Sequence, residues 1–294
     1  MAKPFLFTLS TQDQLDLFEA AATATGLPHF VLEKDYYVTL VLKLLFERLK
    51  PYHTEKTPNP FMFKGGTTLS KVYGCIDRMS EDIDLSLDMN LLGYPEPADH
   101  ESATATSKRV ALLNEATQAA VSDVIAPFLR DELLEINSTF GVGVLRNGMD
   151  IEIQYPQIFD VPSGGYIKPR VFLECGGKAG LEPSGSHDIQ PMALANVADH
   201  SDNCFVDVLG CDRTFFEKLT ALHEINHRGV EKLGEHQSRH IYDVISIHEQ
   251  FPHFIDDREL LAKVGSYTDL STGSYSVINA IPLCISGFLQ PMSY

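Results

Sequence analysis

Phe63-Lys64-Gly65-Gly66-Thr67-Thr68-Leu69-Ser70-Lys71, followed by Arg78-Met79-Ser80-Glu81-Asp82-Ile83-Asp84-Leu85, is the stretch that decides how this chain is read. Phe61–Phe63 is a short apolar strand that Gly65-Gly66 ends. Thr67 to about Gly74 suits a short helix, and Ile83–Leu87 a second strand. The glycines let backbone amides approach phosphates closely, and the helix N-terminus after them favours negative charge. Asp82 and Asp84 lie two apart in an extended segment, so both carboxylates point to one face. Adjacent carboxylates repel unless a cation lies between them, and hard oxygen ligands select Mg²⁺ or Mn²⁺. A two-metal site of this kind activates an attacking hydroxyl and steadies a leaving pyrophosphate. By itself Asp-x-Asp also reads as a solvated strand end; the Gly-Gly-Thr before it carries the sharper reading.

Working outward, Thr11–Thr25 reads as a helix with Ser10 as N-cap and Gly26 as its stop. A second helix is expected from about Pro28 to Lys50, with Phe30, Val38, Val41, Leu42, Leu45 and Leu49 at helical spacing. Residues 91–103 read as a loop, and Thr104 to about Leu134 as a long amphipathic helix. Gly141–Leu145 and Met149–Tyr155 form a hairpin around Asn147-Gly148, and a further strand covers about Arg170–Cys175. Gly176–Pro191 reads as a loop. Helices Arg213–His227 and Gln237–Gln250 follow, the first opening with Thr214-Phe215-Phe216-Glu217 as a capping box. The order predicts an α+β fold: a small mixed sheet, N-terminal helices and a helical C-terminal part, divided near residue 200 into 1–200 and 201–294.

Apolar residues make up 44% of the 294, enough for a sizeable core. The five cysteines form no CxxC pair, which speaks against a zinc ribbon or a disulfide scaffold and for a reducing, cytoplasmic setting. The start, MAKPFLFTLSTQDQ, has no long apolar stretch, so no signal peptide is expected. Val277–Leu289 is too short to span a bilayer and is read as core, so no membrane partner is expected. The net charge of −17 disfavours polyanions unless cations gather locally.

Gly66-Thr67 with Asp82-Ile83-Asp84 resembles the active-site motif of the DNA polymerase β type nucleotidyltransferase superfamily. Phe63-Lys-Gly-Gly-Thr and Arg78-x-Ser-Glu-Asp-Ile-Asp are similar to its AbiEii/AbiGii toxin branch. Val31-Leu-Glu-Lys-Asp-Tyr-Tyr-Val38, Thr214-Phe-Phe-Glu-Lys-Leu219 and Arg239-His-Ile-Tyr-Asp243 resemble three further segments of that branch. The resemblance spans roughly residues 28–250. The gap between Gly66 and Asp82 is longer than the superfamily's usual one, and the tail after about Asp269 resembles nothing known.

The resemblance implies a Mg²⁺- or Mn²⁺-dependent enzyme that moves a nucleotide from an NTP to an acceptor hydroxyl. It implies a toxin of a toxin–antitoxin or phage-defence operon, paired with a winged-helix antitoxin, with the tRNA 3′ end as one acceptor. Asp82 and Asp84 would hold metal. A third carboxylate is expected on a neighbouring strand, either Glu152 or Glu174, with Glu174 favoured. Lys218 would meet the β and γ phosphates; otherwise it is a surface lysine. Asp243 would orient Lys218 or act as a base, or else form an ion pair with Arg239. Lys64, Gly65, Gly66, Thr67, Arg78 and Ser80 would touch the nucleotide. Lys71 reads equally as solvent-facing, and Glu33, Lys34 and Asp35 as structural. A tRNA acceptor would need cations, for which Lys64, Lys71, Arg78, Lys168, Arg170 and Lys178 are candidates, with Tyr166 as a stacking neighbour.

Other readings remain open. A small-molecule or protein hydroxyl as acceptor would suit the acidic charge better. A nucleotide-binding regulator without turnover is a second alternative. His223-Glu224-Ile225-Asn226-His227 is a literal H-E-x-x-H, which on a helix could bind Zn²⁺ as in a metalloprotease. His236, His240, His248 and Glu249 are available as a third ligand, but no metzincin spacing follows, and the segment shares a helix with Lys218.

Overall fold

The computed structural model describes residues 3–94, 102–162, 167–177, 180–198, 200–228 and 238–272, with side chains at all of these except 103, 224–228 and 266–272. Lys178, Tyr166, His236, the Val277–Leu289 stretch and part of the 91–103 loop therefore lie outside the described residues, as do the side chains of Glu224 and His227.

The N-terminal pair is α1 (Thr11–Thr25) and α2 (His29–Lys43). Ser10 caps α1 by accepting from the Asp13 amide at 3.2 Å, and Gly26 stops it with φ 72°. The expected helix to Lys50 is instead α2, then a π-helical turn Leu44–Leu49 and a 3₁₀ turn Lys50–Tyr52. Every residue from Val31 to Leu42 is buried, so α2 is a central helix rather than a one-sided amphipathic one. Its charged trio survives burial through partners. Glu33 accepts from the amides of Ile158 (2.6 Å) and Phe159 (3.2 Å). Lys34 pairs with Glu81 at 3.0 Å, and Asp35 with Lys71 at 2.6 Å and the Met192 amide at 2.7 Å. These contacts strap α2 to four separate segments of the chain, which gives that trio a structural role.

The sheet has seven strands: β1 (Phe61–Lys64), β2 (Ile83–Leu87), β3 (Gly141–Val144), β4 (Asp150–Gln154), β5 (Arg170–Gly176), β6 (Ser184–Ile189) and β7 (Cys204–Leu209). Their order is β3-β4-β5-β2-β1-β7-β6. The β2–β5 and β1–β7 pairs are parallel and the others antiparallel, so the sheet is mixed, as expected. Between β1 and β2 lies α3 (Gly66–Lys71). Between β2 and β3 run α4 (Ala103–Ala120), a π-helical turn Val121–Ile125 and α5 (Ala126–Ile136), where the sequence suggests one unbroken helix. The C-terminal helices are α6 (Cys211–Arg228), α7 (Ser238–Gln250) and α8 (Arg258–Thr272).

Two strands escape the sequence reading. The expected loop Gly176–Pro191 contains β6, whose Ser-Gly-Ser-His-Asp-Ile has almost no apolar face. It is a sheet edge held by backbone pairing to β7. In β7 the buried Cys204, Val206 and Val208 do alternate, and that period of two is a usable signal. The capping box at Thr214 is not formed. α6 already starts at Cys211, and the Thr214 amide donates to the Gly210 carbonyl at 2.9 Å. Glu217 turns to side chains instead.

A large apolar cluster joins the sheet to α1, α2 and α5. A second gathers Leu69, Cys75 and Ile76 with Phe215, Phe216, Ile247 and Leu261 of the C-terminal helices. Because β7 lies in the sheet and runs to Leu209, we propose that the division between the two parts falls at Gly210, somewhat past residue 200.

Candidate active site

The β1–α3 turn is shaped around side chains from β2 and the loop before it. Gly65 has φ 82° and ψ −159°, a backbone region essentially reserved for glycine. A Cβ there would fall 1.7 Å from Asp84 Oδ2. A Cβ on Gly66 would fall 2.6 Å from Ser80 Oγ and 2.9 Å from Arg78 Nη2. Thr67 Oγ1 donates to the Asp82 carbonyl at 2.5 Å and lies 3.1 Å from Ser80 Oγ. Thr68 Oγ1 closes the turn on the Gly65 carbonyl at 2.8 Å. The glycines thus make room for Asp84, Ser80 and Arg78, and Thr67 ties down the chain entering β2.

Register then aligns four charged residues across the sheet. Lys64 on β1 is opposite Asp84 on β2, Asp84 is beside Glu174 on β5, and Glu174 is opposite Asp150 on β4. Neighbouring strands lie about 4.8 Å apart, so the side chains share one face at close range. Burial first and the Glu174 charge next push the Asp84 carboxyl up to about 7, against the pull of Lys64 and Lys218. Burial and Asp150 likewise raise the carboxyl of Glu174. Asp82 immediately precedes β2 and adds to the repulsion on Asp84. Glu152 is placed differently: it lies opposite Phe172 and forms an ion pair with Arg170. Asp150 escaped the sequence reading. Nothing local separates it from Glu152; only the strand register does.

Among the described residues, no three His, Cys, Asp or Glu side chains already gather as a metal cluster. The donor chemistry nonetheless suits a hard divalent cation: carboxylates only, adjacent, and poorly neutralised by their surroundings. Asp82, Asp84 and Glu174 are the residues that would hold it.

The opposite wall comes from the C-terminal helices. Asp243 on α7 is fully buried. It accepts two bonds from Arg78, both at 2.7 Å, and its Oδ2 is 2.9 Å from Lys218 Nζ on α6. Burial would raise its carboxyl, but the bonds from Arg78 and the charge of Lys218 outweigh that and hold it below the usual carboxylate range. Glu217, next along α6, is 3.4 Å from Lys64 and 3.2 Å from Arg213. The Glu217 charge first, and Asp84 after burial's opposing effect, raise the Lys64 ammonium. Apart from Glu152, the carboxylates and the nucleotide-contacting residues expected from the sequence are therefore in this region. Lys71 is not solvent-facing: its side chain is 4% exposed and bound to Asp35.

A family model described as Nucleotidyl transferase AbiEii toxin, Type IV TA system, matches residues 52–283. The chain belongs to this family. The AbiEii match runs past Asp269, so the tail to residue 283 lies within the family pattern, contrary to the sequence reading. It starts after α2, so the Val31–Val38 signature falls outside it. It includes the His223–His227 segment on α6, where His223 is buried. No curated relative matches the chain. The AbiEii family is one of nucleotidyl transferase toxins, and the α+β fold with its mixed sheet is consistent with that class. No helix among the described residues is long and apolar enough to cross a membrane.

Proposed function

We propose that this AbiEii-family chain is a magnesium-dependent nucleotidyltransferase that moves an NMP from an NTP to an acceptor hydroxyl, in the manner of EC 2.7.7 enzymes. One observation carries the reading: Asp84 stands in register with Glu174, one strand from a glycine turn that closes over it. Bound Mg²⁺ or Mn²⁺ would activate the hydroxyl and stabilise the leaving pyrophosphate. The chain's own residues do the rest. Asp82, Asp84 and Glu174 present oxygen ligands on one face. Gly65, Gly66 and Thr67 form the turn that faces the nucleotide, with Ser80 and Lys64 at its sides. Arg78 and Lys218 supply positive charge for the triphosphate. Asp243 is a positioning residue: a carboxylate gripped by two cations and held ionised is a poor proton acceptor, and it fixes Arg78 and Lys218 relative to each other.

For the acceptor, the family resemblance supports a tRNA 3′ end, and for the partner a winged-helix antitoxin in a cytoplasmic toxin–antitoxin or phage-defence operon. A specific observation favours a second reading, in which the hydroxyl belongs to a small molecule or protein. Of the cations suited to RNA, Lys71, Arg78, Arg170 and Lys64 are each engaged by an acid. Lys168 stays exposed. Incubation with α-labelled NTPs, Mg²⁺ and total cellular RNA or protein tests the proposal. Label should enter one fraction and disappear with Asp82→Ala or Asp84→Ala. Nucleotide binding without label transfer in any fraction would leave a regulator instead of an enzyme.

A further inference from the structure

Next to Lys218, Arg78 and Asp243 lies a histidine that none of their contacts uses. His240 sits on α7 one turn before Asp243, on the same face of the helix. The ring is partly buried, and its Nδ1 is buried with no hydrogen-bond partner. A buried ring nitrogen left unpaired is costly, and that cost is relieved if a small shift of the partly exposed ring brings it to a ligand atom. The charges that face the ring are Lys218 from α6, Arg78 from the loop before β2, and Asp243 from its own helix.

We propose that His240 is a further phosphate-binding residue of the nucleotide site: its Nδ1, buried and unpartnered beside Lys218 and Arg78, donates a hydrogen bond to the phosphates those two cations attract. The inference rests on the nucleotidyl-transfer reading, which brings phosphate to Lys218. His248 Nδ1 on the same helix is also buried and unpaired, but its ring stacks on Phe215 in the apolar cluster, whereas His240 faces Lys218 and Arg78.

The arrangement also makes His240 respond to the nucleotide. In the free protein burial first, then Lys218 and Arg78, hold the imidazolium down to about 4 while Asp243 opposes them, so the ring is neutral near pH 7. A phosphate brings opposite charge within hydrogen-bond reach and offsets both cations, which favours the protonated ring. A group that gains basicity on binding takes up a proton, so affinity rises as pH falls through the bound-state value and levels off below about 4, the free-state value.

The test uses the full chain labelled with ¹³C-histidine, free of metal, with inorganic tripolyphosphate as probe, so that the identity of the base does not matter. His240→Asn assigns the ring signal. On saturation, the His240 midpoint should move up from about 4 to about 6.5, the shift that a roughly fivefold effect near pH 6 requires. His240→Asn should weaken tripolyphosphate binding about fivefold near pH 6 and leave it unchanged near pH 9, as expected for one charge-assisted bond. Lys218→Ala should weaken binding at both pH values. If tripolyphosphate binds in a Lys218-dependent way and the His240 midpoint stays put, the inference is overturned and the nucleotide site stands. If no Lys218-dependent binding occurs, the site reading itself is overturned, and the inference with it.

Discussion

Asp84 lies against Gly65: its Oδ2 occupies the place where a side chain at residue 65 would begin. The turn and the candidate metal ligand therefore share one volume. Gly65 is required twice over, by its φ of 82° and by the carboxylate that fills the space.

Gly65→Ala should accordingly fail in both structure and activity. Backbone strain alone in this region costs about 1–3 kcal/mol, and Asp84 must also move aside. The expected loss is on the order of 5 °C in unfolding midpoint, with transfer activity down at least about tenfold in the protein that still folds. Thermal unfolding and labelled-NTP turnover measured on one preparation decide it; full activity would show that Asp84 does not need this position.

Asp84→Asn should remove activity and yet stabilise the metal-free protein. The folded carboxyl sits at about 7, above its ordinary value of 3.8. A carboxyl raised by folding binds more protons folded than unfolded between those values, so its contribution worsens as pH rises from 4 to 8. Since the group is partly exposed, roughly 1–2 kcal/mol is expected after solvent screening. Without metal at pH 8 the variant should unfold roughly 2–6 °C higher than the parent. Near pH 4 the two should coincide, and saturating Mg²⁺ should stabilise only the parent. Equal midpoints at pH 8 would show that the carboxylate is already neutralised.

Asp243→Asn separates a positioning residue from a base. Loss of one charge from a buried, two-cation arrangement should cost about 3 kcal/mol of stability. NTP affinity should fall with it, because Arg78 and Lys218 lose their common anchor. The pH–rate profile of the residual activity should keep its shape. If instead NTP affinity is intact and only kcat collapses, Asp243 acts on a proton.

Salt dependence reports on the acceptor. With a tRNA acceptor, Lys168→Ala should lower labelling and reduce the slope of log affinity against log salt by somewhat under one, as expected for one lost phosphate contact. Activity that stays flat between about 50 and 200 mM salt, with no labelled RNA, would move the acceptor to a small molecule or protein.

Zinc should be dispensable. His223→Ala should reduce stability, because the ring is buried, and leave nucleotidyl transfer largely in place. Elemental analysis should find no stoichiometric zinc in the purified chain. One tightly held zinc, lost in both His223→Ala and His227→Ala, would restore the metalloprotease reading.

Much of the fold is legible in the sequence alone. The strand–glycine–helix–strand order around Gly65 and Asp84, the α1 boundaries at Ser10 and Gly26, and β2 at Ile83–Leu87 all follow from local spacing and turn chemistry. Those signals reside in neighbouring residues, and neighbours in sequence are neighbours in a helix or strand. β6 was not legible, because an edge strand needs little apolar character when its backbone is paired. The start of α6 was misplaced because Thr214-x-x-Glu217 satisfies the capping pattern, while Gly210 after β7 sets where the helix begins.

The sequence by itself determined the residue types of the candidate site: the Gly-Gly turn, the Asp82–Asp84 pair, Lys218 and Asp243. Only the tertiary structure decided how they are arranged. It placed Glu174 beside Asp84, left Glu152 two residues along the same face and paired with Arg170, brought in Asp150, and bound Asp243 to Arg78 and Lys218 in place of a surface pairing. The physical reason is distance along the chain. Side-chain periodicity tells which way a residue points within its own strand or helix. Which carboxylate faces which cation depends on strand order and register, and these are set by the packing of the whole sheet against its helices.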